Sequence, residues 1–339
     1  MVSNRNRLHV ALEIDAGTDP GVLDVATLVQ QVALAEAAGV ALVTIADSPL
    51  PRGTGGTPGG GIEAGVRAAF LSQRTRRIGL APALSVTTTE PFHLATQLAS
   101  LDHASLGRAG WVVSAENSAA ALATIGASPL GEPEDLRQEL GDVIDVARLL
   151  WDSWEDDAVI KDTTTGRFLD PDRVHHVNFT GASFSVTGPL ITPRPPQGQV
   201  VVLGADTLGV TGKLDVALID APDLDAIAGR ARRAREAGAA LVFAELGVLV
   251  DTGGPAARRP AGQWWPRHRL RHTGSAADLL ELLERLAQIV DGVRIHPASL
   301  AVDLPVLADT VLTQLGGATG GFLRETLGLP RPVNQFATI

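Results

Sequence analysis

A (β/α)8 barrel of the TIM type, in the α/β class, is the fold this sequence predicts, on three observations. Eight short apolar runs rich in β-branched residues recur along the 339 residues. Amphipathic stretches of about 12 to 15 residues lie between most of them, an alternation that builds a parallel sheet with helices outside. Eight such units favour closure into a barrel over an open doubly wound sheet.

In order, the strands are expected at 8–14 (LHVALEI), 40–46 (VALVTIA), 77–83 (RIGLAPA), 109–114 (AGWVVS), 200–204 (VVVLG), 215–220 (DVALID), 240–246 (ALVFAEL) and 292–297 (GVRIHP). Helical patterns fall between them as LVQQVALAEAAG, FHLATQLASL, EDLRQELGDVIDVARLL, LDAIAGRARRAREAG and AADLLELLERLAQIV. The first and fourth of these end in Gly39 and Gly238, which suit a left-handed residue at a helix C-terminus.

Two stretches break the rhythm. PRGTGGTPGGG (51–61) follows the second strand and reads as a mobile loop at the C-terminal face of the barrel. Segment 155–199 contains VHHVNFTGASFSVTG and reads as a hairpin-bearing insertion after the fourth helix, within a single domain spanning 1–339. After the fifth strand only GVTGK separates Leu208 from the sixth, so that unit is trimmed.

Composition narrows the function. A net charge of −10 and a pI near 5.3 argue against a nucleic-acid surface, which needs a basic stripe. The absence of Cys removes disulfides, thiolate catalysis and Cys-based metal sites. None of the eight His falls in an HExxH pattern or local two-His-one-carboxylate spacing, so no metal is expected. With no uninterrupted apolar run of ~18 residues, no membrane span is expected either, and the chain is placed in the cytoplasm.

In barrels, sites form at the C-terminal ends of strands. Glu13 and Asp15 end the first strand, Asp47 the second and His296 the eighth, with Glu116 just past the fourth.

Four blocks are distinctive: EPFHLATQLASLDHASLGRAGW (90–111); LLWDSWEDDA followed by GRFLDPDRVHHVNFTGASFSVTGPLITPRPPQG (149–198); VVVLGAD (200–206); and LRETLGLPRPVNQFA (323–337). In this order they resemble the bacterial luciferase-like flavin monooxygenases, in the branch of nitrilotriacetate and dibenzothiophene-sulfone monooxygenases. The resemblance implies a barrel enzyme using reduced FMN from a separate NAD(P)H:flavin reductase, molecular oxygen and a small organic substrate, in a homo-oligomer. It also implies that Trp151 and Trp154, on one helical face, anchor a corner away from the flavin. Asp152, Glu155, Asp156 and Asp157 would then be solvated or cap local backbone.

Carried over position by position, the family's flavin contacts fall on Ser85, on Trp111 with Val112, on Ser114, on Arg137 and on Gly204, Ala205 and Asp206. Asp47 falls where it would meet the flavin ring edge or cap the following loop. Glu13, Trp111, Glu116 and His296 are candidates for the substrate pocket.

The phosphate end departs from the family. Asp206 stands where the family has Ser at a helix N-terminus, and Arg137 where it has Tyr, a residue this chain lacks altogether. Asp206 can itself be the N-cap anion. A phosphate about 4 Å away would meet roughly 4 kcal/mol of repulsion per charge pair at an effective dielectric near 20. The expectation is therefore an Arg137–Asp206 salt bridge closing the phosphate pocket. Two further readings stay open: a non-catalytic barrel that binds no FMN and serves as a partner subunit or ligand binder, and a deazaflavin enzyme.

Overall fold

The computed structural model describes residues 8–14, 24–50, 61–252, 266–315, 317 and 320–337. Asp15 and all but the last residue of the loop expected at 51–61 lie outside them.

Along the chain run β1 (His9–Glu13), α1 (Val25–Ala37), β2 (Leu42–Ile45), α2 (Ala64–Ser72), β3 (Gly79–Ser85), α3 (Pro91–Ser105), β4 (Gly110–Ser114), α4 (Ala119–Ala123) and α5 (Pro133–Asp152). Two small hairpins follow, β5 (Val159–Asp162) with β6 (Arg167–Leu169) and β7 (Phe179–Thr180) with β8 (Ser185–Val186). The second lies inside VHHVNFTGASFSVTG. The chain continues through β9 (Val201–Ala205), β10 (Val216–Ile219), α6 (Leu224–Glu236), β11 (Leu241–Val250), β12 (Leu270–Gly274), α7 (Ala276–Leu286), β13 (Gly292–Pro297), α8 (Leu300–Thr310) and α9 (Leu323–Thr326).

The eight expected strands are β1, β2, β3, β4, β9, β10, β11 and β13. Each pairs in parallel with the next, and β13 returns to β1, so the ring is closed. β11 runs four residues beyond its expected end, and there it carries β12, a strand the sequence reading omits, in register from Leu246↔Leu270 to Val250↔Gly274. Between β9 and β10 two 3-10 turns, Asp206–Leu208 and Thr211–Lys213, replace a helix. Gly39 and Gly238 follow α1 and α6 with φ of 83° and 105°, in the left-handed region only glycine enters freely.

Inside the ring, Ala11, Leu42, Ala81, Val112, Val201, Leu203, Val216, Leu218 and Phe243 form one apolar cluster with Leu323 of α9. Leu323 enters at the N-terminal ends of the strands. A Cβ on Gly79 would come within 2.7 Å of Leu323 Cδ1, and one on Gly110 within 3.4 Å of Leu323 Cδ2. The two glycines are therefore the seat of this plug, and α9 is the floor of the barrel.

The acidic block after α5 differs from its expected solvated state. Asp152 is fully buried and accepts from Nε and Nη2 of the buried Arg194 at 3.0 and 2.8 Å. Gln199 and Gln335 donate to its other oxygen. Asp156 is bound by Arg194 and Arg331, and Glu155 by Arg173 and His175. The physical reason is that the insertion and the 323–337 segment fold back over this corner and bring the cations. Trp154 lies past the end of α5 rather than on its face, yet both indoles do anchor the corner: Trp151 Nε1 donates to Ala95 O and Trp154 Nε1 to Leu190 O.

Candidate functional site at the barrel mouth

Side chains alternate along a strand, so the inward parity set by the apolar cluster continues two residues at a time towards the C-terminal ends. On β1, β2, β10 and β11 this parity gives Glu13, Thr44, Asp220 and Glu245. On β13, Gly292 faces Phe243, which makes Arg294 and then His296 inward. On β3, β4 and β9 it gives Ala83 and Ser85, Ser114, and Ala205. The mouth thus has a charged half and a half lined by small side chains.

The charged half is tightly paired. Arg294 Nε donates to Glu245 Oε2 at 2.9 Å, its Nη2 bonds Oε1 and its Nη1 lies 3.7 Å from Glu13 Oε2. Thr44 Oγ1 donates to Glu13 Oε2 at 2.8 Å, and His296 Nε2 bonds Glu245 Oε2. Arg269 holds Asp220 Oδ2 at 2.6 Å, while Asp220 Oδ1 is buried without a hydrogen-bond partner. Burial is the largest influence on the Glu245 carboxylate and penalises it, but the charges and hydrogen bonds of Arg294 and His296 together outweigh burial and hold Glu245 well below the carboxylate range. Burial pushes the His296 imidazole down, against the pull of Glu245.

In the small half, Ser85 and Ser114 are register neighbours. Ser85 Oγ lies 3.0 Å from Thr87 Oγ1, and both accept from the Glu116 backbone N–H. Asp47 caps: its carboxylate accepts from the N–H groups of Ser48 and Ala64. Trp111 is on the outward parity, fully buried between sheet and helices, with Nε1 donating to Leu84 O. That corrects its candidacy for the pocket. Gly204 also faces outward, beneath Leu214 and Leu208.

The expected Arg137–Asp206 bridge does not form. Asp206 is the first residue of its 3-10 turn, not an N-cap, and its carboxylate is gripped by Nε and Nη2 of Arg230 from α6, whose Nη1 also donates to Asp220 O. Arg137 pairs with Glu134 one turn earlier on α5, and its stem lies over Gly209. Arg230 wins because α6 presents it directly above β9 and β10, whereas Arg137 reaches the neighbouring cleft.

That cleft, of about 370 Å³, is lined by Arg137 and Lys213 against Glu134, Asp142 and Asp145. Both cations are already paired, Lys213 with Asp145 at 2.6 Å. As a donor set for FMN the mouth divides. In the half expected to face the ring, β3, β4 and β9 present only small side chains and hydroxyls. At the position expected for the phosphate, Asp206 is already neutralised by Arg230, and the nearby cleft carries more carboxylates than cations. Among the described residues no group of three or more His, Cys, Asp or Glu could hold a metal ion, and no helix is long and apolar enough to cross a membrane.

Sequence comparison settles the kinship. Residues 7–290 match the luciferase-like monooxygenase family. The chain belongs to that family. Among luciferase-like relatives, N-acetyl-S-(2-succino)cysteine monooxygenase of Bacillus subtilis is 45% identical over 41% of this chain and 32% of its own length. Nitrilotriacetate monooxygenase component A of Aminobacter aminovorans is 39% identical over 40% of this chain and 30% of its own length. The alignments with these two thus span about a third of each relative. One of the subunits of pristinamycin IIA synthase from Streptomyces pristinaespiralis is 34% identical over 76% of this chain and 81% of its own. The solved EDTA monooxygenase of Chelativorans sp. BNC1 shares the fold, with a TM-score of 0.80 at 19% identity over 96% of this chain and 99% of that one.

Proposed function

We propose that this luciferase-like barrel is the oxygenating component of a two-component monooxygenase. It would take reduced FMN from a separate NAD(P)H:flavin reductase, together with oxygen and a small organic substrate, in the cytoplasm and as a homo-oligomer. The observation that carries the reading is the division of the mouth: small and hydroxyl side chains from β3, β4 and β9 face a buried charged row from β1, β10, β11 and β13. A reduced flavin supplies the electrons that oxygen needs. The protein's part is to hold a flat ring against the small half, to fix polar groups opposite it and to keep water out.

Anaerobic titration of the protein with reduced FMN, followed by absorbance and thermal shift, tests this reading. Micromolar binding supports it; no binding up to millimolar overturns it. Because Asp206 neutralises Arg230, Asp206→Ser releases that guanidinium for a phosphate and is expected to tighten FMN at least tenfold.

A second reading, a partner subunit that binds no flavin, is favoured by one fact. A relative aligned over 76% of this chain is named as a subunit of a synthase. Failure of both the wild type and Asp206→Ser to bind would select it.

A further inference from the structure

At the mouth, His296 keeps one ring nitrogen open. Nε2 is bonded to Glu245, while no described residue bonds Nδ1, which is not sealed off as a buried unpartnered atom. Glu245 is an acceptor only, because Arg294 keeps it ionised, so Nε2 carries a proton, and burial of the imidazole disfavours a second one on Nδ1. The residue keeps 7% of its surface, at the C-terminal end of β13 where the mouth opens.

The groups facing it complete the picture. Glu245 comes from β11, Arg294 from β13 itself, and Glu13, held by Thr44, from β1. The Asp220–Arg269 pair is neutral. A proton added to His296 would lie against the Glu245 carboxylate, which compensates it, while burial disfavours that charge at rest. A base in such a setting is poised to accept a proton rather than to hold one at rest.

We propose that His296 is the proton acceptor of the mouth, taking a proton at Nδ1 from an O–H or N–H group of the organic ligand bound there, with Glu245 and Arg294 as positioning residues. The ligand's bond to hydrogen breaks and its electron pair stays on the ligand. An N–H bond forms at Nδ1, and the imidazolium pairs with Glu245. The class of ligand is thus a weak acid, such as a phenol, enol or imide, rather than a hydrocarbon. This rests on the reading of the mouth as the reaction site but not on flavin binding.

Two measurements on the flavin-free protein test it, so a failed FMN titration leaves their outcome intact. Diethyl pyrocarbonate acylates an unprotonated imidazole nitrogen that a dissolved reagent can reach. Mass-spectrometric mapping at pH 7 is expected to find His296 modified alongside the exposed His268, whose side chain is 64% accessible. Modification of His268 alone overturns the proposal. Nitrogen-15 NMR of the ring nitrogens is expected to show His296 neutral at pH 7 with the proton on Nε2. In Glu245→Gln its titration midpoint should fall by about one unit or more, because an opposite charge is lost. An imidazolium at pH 7, a proton resting on Nδ1, or an unmoved midpoint each overturn it. The acylation map needs no variant, so misfolding of Glu245→Gln leaves it decisive.

Discussion

Asp152 shows how much one carboxylate can hold when burial removes every alternative. It joins α5 to Arg194 of the insertion, to Gln199 at the approach to β9 and to Gln335 near the far end of the described chain. Removing one partner of a buried pair leaves the other charge uncompensated. Asp152→Ala is therefore expected to cost about 3–5 kcal/mol in urea unfolding. Asp157→Ala, where the side chain is 66% exposed, should stay within about 0.5 kcal/mol. Asp156 supplies a pH signature. Hydrogen bonds from Arg331 outweigh the burial penalty and, with Arg194, hold its carboxyl down at about 2. A depressed acid binds fewer protons folded than unfolded, so its contribution is present above the usual carboxylate range and lost as pH falls through about 2. Urea midpoints of wild type and Asp156→Asn should differ at pH 5 and converge towards pH 2.

At the scale of elements, the floor plug gives the sharpest test. Leu323→Ala is expected to destabilise by about 2–5 kcal/mol, the range for a truncated core leucine. Gly79→Ala should destabilise alone, because its methyl meets Leu323 and the Cβ of Leu42, and the Leu323 part of that cost should be relieved in the Leu323→Ala background. A double-mutant cycle read by thermal unfolding would return a favourable coupling; strict additivity would mean that the plug is not seated there. The eight ring strands were legible because each is an apolar, β-branched run buried on both faces. β12 was not: LRHTG offers one buried position and takes its order from β11 beside it. Likewise Glu13 and His296 were legible as strand ends, whereas Glu245 and Arg294 sit inside ALVFAEL and GVRIHP. The usable signal there was a lone charge on the inward parity of an otherwise apolar strand. Arg230 escaped because only the placement of α6 over β9 brings it to Asp206, and no spacing along the chain encodes that.

Across the whole molecule, the segment 323–335 binds parts of the barrel that have little else in common. Leu323 fills the floor, Arg324 reaches Asp215 and the Gln199 carbonyl, Asn334 takes the carbonyls of Asp152 and Trp154, and Gln335 returns to Asp152. Deletion from residue 321 onward is expected to abolish cooperative unfolding rather than shave a few degrees from it, as circular dichroism melting would record. The same arrangement sets an order of events during synthesis. Chains emerge N-terminus first, and domains tend to fold as units. Here β1 meets its partner β13 only after some 280 intervening residues have been made, and the floor is seated later still. A ribosome carrying this chain therefore holds an open, unplugged barrel until residue 323 has been added.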